Sequence, residues 1–192
     1  MRPLDDGAFL TTFSLMSETN PCSLPSGNRP DQRARDLRLS RLQWEELLDP
    51  VAYYVLRNQG TEPPFANAYW DHHETGLYLC AGTGQPLFSS EDKFDSGTGW
   101  PSFSRPMDAD AVAEQIDESH GMVRREVFAT GCGGHLGHVF PDGPKPHGLR
   151  YCINSAALQF LPVGSPEDLP GAWQEARERY KENVDTLGKG SS

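Results

Sequence analysis

The chain has 192 residues, 36% of them hydrophobic, and carries 27 acidic against 17 basic side chains for a net charge of −10 at pH 7. That length supports one domain with its own core plus some extension, and the acidity argues against a nucleic-acid partner, whose phosphates demand a basic face. No apolar run approaches the roughly 18 residues of a membrane span, acidic residues stand where a secretory leader is basic, and four cysteines are too few for a secreted disulfide scaffold; the expectation is a cytoplasmic protein that does not enter a membrane.

In chain order, residues 1–38 hold Pro3, Pro21, Pro25 and Pro30 among Ser, Asn and Asp without periodicity, which predicts a largely disordered arm carrying Cys22. Ser40-Arg-Leu-Gln43 has the form of a capping box, and Trp44, Leu47 and Leu48 follow at helical spacing. Asp49 and Pro50 then start a second helix that Gly60 should stop, so residues 40–60 are expected to be two short flanking helices. From residue 76 the pattern changes to short extended runs separated by Gly, Pro, Asp and Ser: Gly76–Cys80, Pro86–Phe88, Val112–Ile116, Val123–Phe128 and Arg150–Phe160. These predict a mainly β domain, 39–162, with an antiparallel β core over 76–162. Residues 163–192 form a C-terminal helix and tail, the helix running from Ala172 to Leu187 with Gly188 ending it and with no catalytic task.

The chemistry gathers in three stretches. Arg150 to Phe160 reads as one continuous strand, and strand alternation puts Arg150, Cys152 and Asn154 on one face. Arg150 and Cys152 are then about 7 Å apart, where a fixed positive charge favours the reactive thiolate. Upstream, Cys132-Gly-Gly-His135-Leu-Gly-His138-Val-Phe-Pro-Asp142 spreads two imidazoles and an acid over what looks like a loop, a set suited to proton transfer or to a metal. Further back, Lys93-Phe-Asp-Ser-Gly-Thr98-Gly-Trp100-Pro-Ser-Phe103 presents an indole on a glycine-rich turn, an apolar surface for a methyl group.

In their order and spacing these stretches resemble the methionine-R-sulfoxide reductase family, the B type, over residues 40–162. The resemblance implies antiparallel β-sheets of the Mss4-like, β-tent fold and a thiol-dependent reduction of methionine-R-sulfoxide in peptides or proteins. It implies Cys152 as nucleophile passing through a sulfenic acid, with His135, His138, Asn154, Arg150 and Asp142 around it. Trp100, helped by Phe103, would bind the substrate's methyl group. The expected partners are oxidised proteins or peptides and an external reductant: thioredoxin, glutaredoxin or a small thiol. The chain should act as a monomer with no bound cofactor.

Two departures from the family pattern stand out. Thr98 occupies the position of a common resolving cysteine, and Ala66 follows Phe65 where another subset places one, which leaves Cys22 as the candidate resolving thiol or an external thiol in its stead. Zinc-bearing members have two CxxC pairs; here Thr83 follows Cys80 and Ala129 precedes Cys132, so these cysteines read as remnants of a lost zinc site and zinc is expected to be absent. Two other classes compete: a cysteine hydrolase using Cys152 and His138, disfavoured by a nucleophile in mid-strand, and a non-enzymatic partner-binding module of the same fold, which would keep its metal cysteines and have no need of Cys152 or Trp100.

Overall fold

A computed structural model describes residues 39–189 apart from 119, 120 and 122. The proposed arm, Cys22 and residues 190–192 lie outside the described residues.

The two helices start as their caps dictate. In α1 (Arg41–Leu47) the Ser40 side chain accepts from the Gln43 amide while Gln43 accepts from the Ser40 amide, which satisfies two donors at the helix start. In α2 (Pro50–Asn58) Asp49 Oδ1 accepts from the amides of Val51 and Ala52 at 2.9 and 3.0 Å. Gln59, at φ 56°, makes the left-handed stop one residue before the expected glycine. Gly60 serves instead for closeness: a Cβ there would meet the Tyr54 ring at 2.2 Å. Trp44, Ala52, Val55 and Leu56 bury the inner faces of the pair against the sheets.

Among the described residues nine strands follow: β1 (Gly76–Cys80), β2 (Pro86–Ser89), β3 (Lys93–Phe94), β4 (Ser102–Phe103), β5 (Val112–Asp117), β6 (Arg124–Ala129), β7 (His135–Phe140), β8 (Arg150–Ile153) and β9 (Leu158–Pro162). They form two antiparallel sheets, β2-β1-β9 and β3-β4-β8-β7-β6-β5. The mainly β fold with flanking helices thus agrees with the sequence. The core between the sheets is aromatic, with Phe88 and Phe103 stacked at 4.4 Å and Tyr78 edge-on to Phe103 at 5.0 Å.

Residues 150–160 are not one strand. They break at a 3-10 turn, Ser155–Ala157, so β8 lies in the large sheet and β9 in the small one. The cause is Glu62, whose buried carboxylate accepts from the amides of Ser155 and Ala156 (the latter at 3.1 Å) and draws them out of any strand ladder. The histidine stretch differs in the opposite sense: most of the expected loop is strand β7.

The terminal helix α3 (Leu169–Lys189) starts earlier than expected and runs through Gly188, since one glycine costs a helix only about 1 kcal/mol. Leu169 and Ala176 bury against Leu77 of β1, with Trp173 and Met107 beside them, in a small second core. No helix among the described residues is long and apolar enough to cross a membrane.

Candidate active site

The large sheet lays out the site by register. Cys152 on β8 stands opposite Ser102 on β4 and opposite His138 on β7, and residues directly opposite in an antiparallel pair share a face. Arg150, two residues before Cys152, stands opposite Phe140 on that same face. One residue on, Phe103 pairs with Tyr151, so parity sends Phe103 to the other side. It is fully buried and stacked on Phe88. Phe103 is therefore a core residue on the face away from Cys152, where the sequence expectation put it beside the substrate.

His135 and His138 lie an odd number of residues apart and should face opposite ways. A β-bulge changes that: Val127 pairs with Gly137 and Phe128 with His135, leaving Leu136 as the extra residue that restores parity. The two rings come within 5.5 Å of each other. Gly137 is needed here, because a Cβ would strike the Cys152 carbonyl oxygen at 2.1 Å. Asn154 pins the bulge: its backbone amide and its Nδ2 both donate to the Leu136 carbonyl, at 2.9 and 3.0 Å, while its Oδ1 accepts from the Glu62 amide at 3.1 Å. Buried and so engaged, Asn154 is a positioning residue and not the open polar group that a continuous strand would have made of it.

The imidazoles differ in setting. His138 is half-buried, and its Nε2 lies 2.9 Å from Asp117 Oδ2, which Arg124 also reaches at 2.8 Å. Since a carboxylate only accepts, neutral His138 carries its proton on Nε2 and leaves Nδ1 as an acceptor. Burial lowers its pKa, the Asp117 hydrogen bond working against that shift. His135 is 4% exposed, with Nδ1 2.9 Å from Glu126 Oε1, and Gln59, the C-cap of α2, donates to that same oxygen at 3.1 Å. Its buried Nε2 has no hydrogen-bond partner among the described residues. The pair expected from sequence is thus one imidazole opposite the thiol and one beneath α2.

Cys152 is half-buried, and its Sγ is 3.9 Å from Thr98 Oγ1. Ser96 links Thr98 to Ser102 through hydroxyl contacts of 2.8 and 2.7 Å. Burial pushes the thiol pKa up, opposed first by Thr98 and then by the Arg150 charge. The arginine acts in the expected direction, but desolvation outweighs it. Arg150 itself is forked onto Asp142, with both contacts at 2.9 Å, and lies 4.5 Å over the Phe140 ring. The guanidinium beside it holds the exposed Asp142 carboxyl below the usual range. Asp142 thereby orients Arg150.

Trp100 is half-buried on the turn that enters β4. Its Nε1 donates to the Glu62 carbonyl at 3.0 Å, and the next residue, Pro101, accepts from the Ile153 amide at 3.0 Å. Gly99, at φ 87°, accepts from the Phe65 amide and from Asn67 Nδ2, and a Cβ there would strike Phe65 N at 2.7 Å. The 61–67 loop thereby fixes the indole beside the cysteine strand. Glu62, Asp117 and Glu126 were all missed in the sequence. Their partners are fixed by strand pairing or, for Glu62, lie more than 90 residues along the chain, and neither is visible in the sequence.

Cys80 and Cys132 meet in the interior with their sulfurs 3.5 Å apart. Tetrahedral zinc takes four ligands. Thr83 and Ala129 replace the other two sulfurs, and no group of three or more His, Cys, Asp or Glu that could hold a metal ion occurs among the described residues. The donor set does not fit the zinc of a four-cysteine site.

The SelR domain model matches residues 48–162, the helix-flanked β core with every residue of the site. The chain belongs to the SelR domain family. It is 61% identical over 120 residues, 62% of this chain and 91% of the relative, to the peptide methionine sulfoxide reductase MsrB of Thiobacillus denitrificans. It is 55% identical over 124 residues, 65% of this chain and 92% of the relative, to the protein of the same name from Agrobacterium fabrum. The SelR match stops short of α3, which packs on the small sheet.

Proposed function

We propose that this SelR-family chain is a thiol-dependent peptide methionine-R-sulfoxide reductase with Cys152 as its nucleophile. The observation that carries this reading is the row Ser102, Cys152, His138 on one face of the large sheet, with Trp100 on the adjoining turn. The indole offers the substrate's methyl group an apolar face. His138 accepts the thiol proton at Nδ1 as the sulfur of Cys152 attacks the sulfoxide sulfur, and it returns that proton to the oxygen. The attack forms an S–S bond to the substrate sulfur; as the oxygen passes to the Cys152 sulfur, that S–S bond and the substrate's S–O bond both break, methionine leaves, and Cys152 is left as a sulfenic acid carrying the proton. An external thiol then attacks the sulfenic sulfur and releases water; a second thiol breaks the mixed disulfide and restores Cys152.

His135 holds the second imidazole position behind His138, Asn154 fixes the bulge that both depend on, and Asp142 steers Arg150. Thioredoxin, glutaredoxin or a small thiol serves as reductant, the chain works as a monomer, and it holds no structural zinc. The test is turnover of the separated R and S sulfoxide epimers of a methionine peptide with dithiothreitol and with thioredoxin. Consumption of the R epimer alone is expected, and consumption of the S epimer would overturn the assignment. Hydrolysis of an ester or peptide without use of reductant would equally overturn it.

A further inference from the structure

The reductase chemistry uses one of the three cysteines in the described structure and leaves two buried thiols in contact. Cys80 ends β1 of the small sheet, and Cys132 sits in the turn between β6 and β7 of the large one, 52 residues away along the chain. Both turns are tightly held. The Thr83 and Gly84 amides return to the Cys80 carbonyl, and the Gly133 amide returns to Ala129. Arg57 of α2 donates to the Cys132 carbonyl at 2.9 Å, the Gly134 amide lies 3.4 Å from Cys132 Sγ, and Leu56 and Trp44 pack close to the two turns. These turns hold the sulfurs 3.5 Å apart. A disulfide of about 2.05 Å would draw the two sulfurs closer by about 1.5 Å.

We propose that Cys80 and Cys132 form a reversible disulfide that staples the two sheets together when the protein meets hydroperoxide. Either sulfur can donate its proton to the other across the 3.5 Å contact. One of the two attacks an oxygen of hydrogen peroxide. The O–O bond breaks, the other oxygen leaves as water, and the attacking sulfur becomes a sulfenic acid. Its partner thiol attacks that sulfur and expels the second oxygen as water. The two thiols lose two electrons and two protons, and one hydroperoxide is reduced. A dithiol reductant reverses the bond. The conditions that oxidise methionine would thus stiffen the scaffold holding the reductase site.

The full chain carrying Cys22→Ser and Cys152→Ser retains only this pair, so its core needs no alteration. Treated with graded hydrogen peroxide, it is expected to lose the mass of two hydrogens and both thiols titratable after denaturation. Its melting temperature should rise by roughly 5–10 °C, and dithiothreitol should restore all three properties. Oxygen adducts in place of the hydrogen loss, two thiols surviving peroxide, or an unchanged melting temperature in the bridged form would overturn the proposal. So would a stoichiometric bound metal that keeps the pair reduced. Reductase turnover depends on Cys152 and is measured separately on the wild-type chain.

Discussion

Cys152 and the Cys80–Cys132 pair put the same side chain into opposite surroundings. Cys152 is half-buried in a row with a hydroxyl and an imidazole, with a guanidinium on its own strand. The pair is buried in the core with the two sulfurs in contact. Cysteine chemistry follows access and neighbours more than the residue itself: the first site can meet a bulky sulfoxide, the second only a small solute or its partner thiol.

The largest effect that tests this contrast is Cys152→Ser, which is expected to reduce dithiothreitol-driven turnover below detection with the melting temperature unchanged. A Cys22→Ser chain measured beside it should keep that turnover. Next comes His138→Ala, expected to lower kcat by about 100-fold or more through loss of proton transfer. Asp117→Asn should cost about tenfold and shift the pH profile of kcat, because the amide no longer fixes the Nε2–H tautomer.

Stability rather than rate should report on the hinge. Glu62→Ala frees the Ser155 and Ala156 amides inside the protein and is expected to cost about 2–4 kcal/mol in urea denaturation. The smallest effect concerns the thiol itself. Because burial raises its pKa, alkylation of Cys152 by iodoacetamide should climb through the alkaline range with a midpoint above that of an ordinary cysteine. Thr98→Val and Arg150→Met each remove a group that lowers this pKa, so each should push the midpoint higher and slow alkylation at pH 7 by about threefold to tenfold.

Much of the site was legible because it rests on local rules. The caps at Ser40 and Asp49, the alternation of Arg150 and Cys152, and the indole on a glycine turn are encoded within a few residues of one another. What was hidden depends on strand pairing. Gly133, Gly134 and Gly137 make β7 look like a loop, and the bulge that turns His135 toward His138 exists only against β6. The break after Ile153 could not be seen because its cause, Glu62, lies 93 residues before Ser155. Phe103 was misassigned for the same reason: only the register of β4 against β8 shows that it faces away from Cys152.

A single turnover without reductant tests the central claim most directly. The reduced chain is mixed with excess R-sulfoxide peptide and a sulfenic acid trap. One methionine peptide formed per chain, with the trap bound at Cys152, is the predicted result. No methionine peptide, or the first adduct on another cysteine, would contradict it.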